Sequence, residues 1–324
     1  MYFPLAEVEV PLWHLLWMGF WTGYTMSIVG EATGIFSLPY SMSILRFNSV
    51  NISPTDLVVT FLNPFGALFG YRRERQWNLD LALWLCVGAA IGAQIGPFIR
   101  VLYLSDPVPF KAAVGVALAF MGAHLWYEIT PRYLAQMKSQ RVIQEKFDAR
   151  AREMVAQGKL PSGLPEDVRI TTVEKSLSHI KIAYWGEEWT LSVPLLFVIG
   201  FGVGIVASTF GVGGGFLLVP IMVTLFKLPM YVLVAATIPF VITLSAVGLF
   251  AYNVTVPMLT GIYRAPEWGW GFFVAAAAIF GSWCGSKTQK YVPERYLKPM
   301  LGTLTFFIGV IYVLNYFIKL PFKV

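Results

Sequence analysis

Residues 19–39 and 200–220 are one segment written twice. Aligned without a gap, the copies share seven of twenty-one residues: Gly19/Gly200, Phe20/Phe201, Gly23/Gly204, Ser27/Ser208, Gly30/Gly211, Gly34/Gly215 and Pro39/Pro220. Chance would give about two in so Gly-rich a composition. Each copy is apolar chain broken by glycines and then resumed. In hydrocarbon every backbone N–H and C=O has to be paired, so such a break at membrane depth must be buried in protein or line a cavity. Paired, glycine-interrupted apolar segments in two halves of a chain point to a transporter's binding site.

The rest of the sequence supplies the membrane context. The chain of 324 residues is 56% hydrophobic and 13% charged, with a mean hydropathy of +0.63, whereas soluble domains carry about 25% charged residues. Apolar runs lie at 12–29, 34–47, 54–71, 78–102 and 110–129, and again at 191–210, 215–227, 230–252, 268–286 and 299–318. With about 20 apolar residues needed per crossing, the expected fold class is all-α: a polytopic membrane protein of about 8–10 transmembrane helices, in two repeats with glycine-broken helices. Met1–Pro11 carries Glu7 and Glu9 where a cleavable signal peptide would be basic. The net charge of +6 then reads as a topology signal, with the lipid bilayer as a partner and no nucleic acid. Cys86 and Cys284 sit in apolar runs but do not align with each other in the repeat, as structural thiols would. Three scattered histidines make no metal or haem constellation, so no metal, cofactor or catalytic residue is expected.

The duplication runs on past the glycine segment. Pro54 and Pro64-Phe65 match Pro229 and Pro239-Phe240; Gly92 and Gly96 match Gly281 and Gly285; Lys111 and Gly115 match Lys298 and Gly302. Two copies of a unit of about 120 residues follow, giving a first membrane repeat at 1–129, a charged insert at 130–190 and a second repeat at 191–324. Residues 130–183 hold ten of the 24 basic residues and six of the 18 acids. There Gln136–Gln157 has helical spacing, and Ile170–Tyr184 alternates enough for short strands. The basic loops at Arg72–Arg75 and Lys287–Lys298, together with 130–183, predict cytoplasmic faces, while 253–267 carries Arg264 alone. Equivalent loops then take opposite sides, so the repeats are expected to be inverted, with five crossings each. Eight crossings in parallel repeats is the alternative.

Gly211-Val-Gly213-Gly214-Gly215 cannot hold a strong helix, since each glycine costs roughly 1 kcal/mol against Ala. Chain resuming at Phe216 begins a new helix whose free N–H groups suit an anion, and Gly34–Ile35 offers the same in the first copy. The expected substrate-binding set is Gly30, Gly34, Gly211, Gly213, Gly214 and Gly215 with the side chains of Ser27, Thr33, Ser208 and Thr209. The spaced glycines 19/23 and 200/204 read as helix-packing positions instead. Glu31 replaces Val212 in the first copy; an acid inside the membrane is functional by default, and Glu31 is the proton-coupling candidate, with backbone bonding at the break and placement at the aqueous rim as its other readings. Asn63 and Thr237, beside breaks at Pro64 and Pro239, and Gln94, between Gly92 and Gly96, are candidate path residues, or else interhelical hydrogen bonds. Asp56, Asp80 and Glu128 read as solvated run ends, His124 as a partner of Glu128, and His14, beside Trp13 and Trp17, as an interfacial belt residue.

The string Gly-x-Gly-Gly-Gly-x-x-x-x-Pro at Gly211–Pro220, heading a duplicated hydrophobic half, resembles the TauE/SafE family of sulfite and organosulfonate exporters. The likeness covers 12–129 and 191–318 and leaves the insert aside. It implies secondary transport of a small inorganic or organic anion across a bacterial inner membrane, with a homo-oligomer possible. A sulfur-containing oxoanion of the sulfite, sulfonate or thiosulfate type is the expected cargo. A small carboxylate, a passive anion channel and, last, a membrane-embedded enzyme are the alternatives; the few interior ionisable residues count against the enzyme.

Overall fold

Helix is the one regular form these apolar runs can take in lipid without stranding backbone groups, and the computed structural model is a bundle of helices. It describes residues 1–29, 34–71, 78–130, 149, 170–184, 187–228, 230–288 and 294–318; the remainder, including Gly30, Glu31, Thr33 and all of Gln136–Gln157 except residue 149, lies outside the described residues. After a two-stranded ribbon, β1 (Tyr2–Phe3) and β2 (Val8–Glu9), come α1 (Leu12–Val29), α2 (Gly34–Pro39) with a π-helical turn (Tyr40–Ile44), α3 (Ile52–Tyr71), α4 (Leu79–Leu102) and α5 (Pro107–Glu128). The second half has α6 (Val193–Phe210), α7 (Gly215–Phe226) and α8 (Met230–Phe250), which runs through a π turn (Ala251–Thr255) into α9 (Val256–Thr260). Then follow α10 (Trp268–Thr288) and α11 (Glu294–Ile318). Among the described helices six are long and apolar enough to cross a membrane: α4, α5, α6, α8 with its continuation, α10 and α11, with α7 apolar but shorter.

Helix starts follow local chemistry. The Asn78 side chain accepts from Leu81 N (3.0 Å) to begin α4, and Asp106 accepts from Val108 N (2.9 Å) ahead of Pro107 to begin α5. Pro64 and Pro239 do not break the chain as expected; both sit inside continuous helices, α3 and α8. Neighbouring helices in a membrane bundle tolerate such prolines.

Packing is set by small residues. The backbone of α1 at Gly19 and Gly23 lies on α10 at Val274 and Ala278, while Gly281 and Gly285 lie on Phe20 and Tyr24, so the two helices run parallel. The same holds for α4 and α6, where Gly88 and Gly92 meet Phe197 and Phe201, and Gly200 and Gly204 meet Leu85 and Ala89. A side chain at most of these glycines would overlap the partner's backbone, so close approach requires them. Two further contacts run antiparallel: α5 with α11, where Gly115 meets Tyr312 and Gly122 meets Phe306, and α3 with α8, where Thr60 meets Ser245 and Leu57 meets Gly248. The first helix of each half therefore packs on the penultimate long helix of the other half (α1 on α10, α6 on α4), while α3 meets its counterpart α8 and α5 its counterpart α11.

The two ends of the bundle are distinct. At one, Leu5 N donates to Glu267 Oε2 (2.8 Å), joining the N-terminal ribbon to the start of α10. At the other stands the antiparallel sheet β3 (Thr171–Lys175), β4 (His179–Tyr184) and β5 (Glu187–Ser192). Asn78 Nδ2 donates to Thr172 Oγ1 (3.2 Å), Thr172 Oγ1 donates to Asp80 Oδ2 (3.0 Å), and Lys175 pairs with Asp80, so the sheet is tied to the head of α4. On the sheet the Glu188 carboxylate, 2.6 Å from Lys181 Nζ, holds that ammonium above its ordinary range.

Candidate functional site

The second break is built from backbone conformation. α6 ends because Gly211 turns left-handed (φ +85°), with the N–H groups of Gly211 and Val212 both donating to Ala207 O (2.8 and 3.1 Å). Gly213 and Gly214 are left-handed as well, at φ +77° and +72°, and the chain reverses into α7. Side chains are excluded sterically too: a Cβ on Gly211 would overlap Ser53 of α3, and one on Gly213 would stand 2.9 Å from Thr60. At the head of α7, Gly215 N donates to Gly213 O (2.9 Å), and Leu217 N and Leu218 N donate to Gly214 O (3.2 and 3.0 Å). The N–H groups of Gly213 and Gly214 have no hydrogen-bond partner among the described residues. They stand at the positive end of the α7 dipole.

The first break meets the second. Gly34, the first residue of α2, packs so closely on Val212 that a Cβ there would overlap the Val212 backbone. Beside this contact is a small, half-open crevice whose walls, among them Leu38, Val114, Phe210, Val212 and Phe216, are apolar.

The polar residues expected around the breaks are placed differently from one another. Ser27 turns away, its hydroxyl donating to Ser282 O of α10 (2.8 Å). Ser208 and Thr209, both buried, stand in the last turn of α6 and donate to Gly204 O and Ile205 O (2.7 Å each), with Thr209 also reaching Gly96 O of α4 (3.2 Å). Gln94 Oε1 accepts from Thr255 Oγ1 (3.0 Å), an interhelical bond, and Thr237 donates to Leu233 O within its own helix (2.8 Å). Asn63 is buried with its amide 2.7 Å from Met26 Sδ of α1. His124 and Glu128 pair at 3.3 Å, and His14 stacks on Trp13 with its Nδ1 2.9 Å from Tyr40 Oη.

Asp56 corrects the sequence reading. It is not a solvated run end: it is 1% exposed, and its Oδ2 accepts from Ser37 Oγ of α2 (3.1 Å). Around it α3 carries a polar stripe that spacing alone could have revealed. Ser53, Asp56, Thr60 and Asn63 recur at three-, four- and three-residue steps, one face of a helix, and all four are buried. Ser53 lies against Gly211, Asp56 bonds α2, and Thr60 lies against Gly213 while sharing a hydrogen bond with Ser245 Oγ of α8 (3.0 Å). The stripe thus passes both breaks.

A family model described as the sulfite exporter TauE/SafE matches residues 15–312, a span that takes in both breaks, the α3 stripe and the insert. The chain belongs to the TauE/SafE family. It is a multi-pass membrane protein. Among curated relatives, a probable membrane transporter protein of Methanocaldococcus jannaschii is 29% identical over 121 residues, covering 36% of this chain and 42% of that protein. The chain therefore matches less than half of that relative's length. No solved structure matches the chain. For a TauE/SafE member the meeting of two glycine breaks is the feature to explain, because glycines in a left-handed run serve backbone geometry and not helix packing.

Proposed function

We propose that this TauE/SafE protein is a secondary transporter for a small sulfur-containing oxoanion of the sulfite, sulfonate or thiosulfate type, bound where the two breaks meet. The observation that carries the reading is the contact of Gly34 with Val212, which brings the head of α2 against the turn that leads into α7, with the unbonded N–H groups of Gly213 and Gly214 following in that turn. Helix N-termini at a break attract anions, and the family's description names an anion exporter. The membrane repeats are 1–129 and 191–324, inverted about a pseudo-two-fold, with 130–190 a cytoplasmic insert. The antiparallel pairing of α5 with α11 and of α3 with α8 supports inversion, because counterparts in parallel repeats would run the same way. Glu31 is the proposed proton-coupling residue.

The test uses purified protein in proteoliposomes. Sulfite flux should depend on the protein and rise with an imposed pH gradient. Glu31→Gln should retain sulfite binding while flux loses its dependence on the gradient. Flux equal to protein-free vesicles for sulfite, thiosulfate and a sulfonate alike sinks the substrate reading. Gradient-independent flux in the unaltered protein favours a channel.

A further inference from the structure

The apolar cleft leaves an anion's charge uncompensated, and the molecule holds a cation close to the second break. Arg100, near the end of α4, is 0% exposed. Its Nε donates to Ser53 Oγ (3.1 Å), its Nη1 donates to Leu104 O, and its guanidinium lies over the Phe110 ring, 3.6 Å from the centroid. Its Nη2 is buried with no hydrogen-bond partner. Among the described residues the guanidinium forms no ion pair. Ser53, which fixes its Nε, is the residue whose backbone abuts Gly211, and one turn back in α6 the Ser208 carbonyl accepts from Tyr252 Oη (3.2 Å).

A buried charge without a counter-ion is strongly unfavourable, and an unpaired buried donor adds to the cost. Capping the end of α4 through Leu104 O accounts for Nη1 but would be served by a lysine or by water at less cost. What it leaves unexplained is the second arm of the fork, which is the part that recognises oxoanions.

Resting on the transport reading above, we propose that Arg100 is an anion-coordinating residue of this transporter. The Nη2 hydrogens face an oxoanion passing the Gly211–Gly215 break, while Ser53 and Phe110 hold the guanidinium plane in place. The oxoanion supplies the missing counter-charge.

The experiment compares unaltered protein with Arg100→Gln, Arg100→Lys and Ser53→Ala in detergent, reading melting temperature with and without millimolar sulfite, and sulfite flux in proteoliposomes. The unaltered protein should melt higher with sulfite. Arg100→Gln should melt without sulfite at least as high as the unaltered protein, because a lone buried charge is gone, yet lose its response to sulfite and at least tenfold of flux. Arg100→Lys should keep part of the response, and Ser53→Ala should raise the sulfite concentration for half-effect several-fold. A sulfite response in Arg100→Gln equal to that of the unaltered protein, with a lowered melting temperature in its absence, overturns the proposal and leaves Arg100 a helix cap. If Arg100→Gln cannot be purified, an undiminished response in both other variants overturns it equally. No response in the unaltered protein, to sulfite or to thiosulfate, removes the transport reading and this inference with it.

Discussion

At the residue scale, the second break rests on where side chains are forbidden. Gly211 and Gly213 are held left-handed against Ser53 and Thr60, so alanine at either position meets strain and collision together. A non-glycine residue in that conformation costs roughly 1–3 kcal/mol, and the neighbours here are helix α3 itself. Gly213→Ala is expected to lower the melting temperature in detergent and to abolish transport, whereas Gly261→Ala, left-handed in an open loop with nothing near its Cβ, should lose stability alone. The glycine run was legible because consecutive glycines serve no packing role. Asp56 was not: a lone acid near the end of an apolar run has the same sequence signature whether it meets water or a buried serine. Only the step pattern linking it to Ser53, Thr60 and Asn63 distinguishes the two.

At the element scale, the bundle is held by two parallel seams of backbone against backbone, α1 with α10 and α4 with α6. Without a hydrophobic drive between helices in lipid, such seams draw on dispersion contacts and close approach. Gly92→Leu would drive a large side chain into Phe201 and Ile205, and the expected result is loss of folded protein in size-exclusion chromatography. Gly202→Ala, on the face of α6 turned away from that seam with nothing within 4 Å of its Cβ, should be neutral or raise stability by up to about 1 kcal/mol, the helix-propensity difference. The spacing of these glycines could be read in advance; which helix each would meet could not, since both seams join opposite halves of the chain. Prolines 64 and 239 misled for a related reason, because a helix shielded by neighbours bears a missing N–H that an isolated one would not.

At the scale of the whole molecule, the loop charges and the contacts agree on two ends. Cysteines placed singly at Ser176 and Tyr263, in a background lacking Cys86 and Cys284, should react with a membrane-impermeant maleimide from opposite faces. Labelling of both from one face refutes the inverted arrangement. Charge patterning alone could propose this, but the cross-pairing of helices needed coordinates. That cross-pairing bears on synthesis. When α1 and α4 leave the translocon, the surfaces that will receive α10 and α6 are still unmade, and their glycine flanks face lipid or a chaperone. Neither half can mature alone; they are laced like the fingers of clasped hands. A break in the chain within the insert should therefore be tolerated when both pieces are made together, while either piece made alone is degraded.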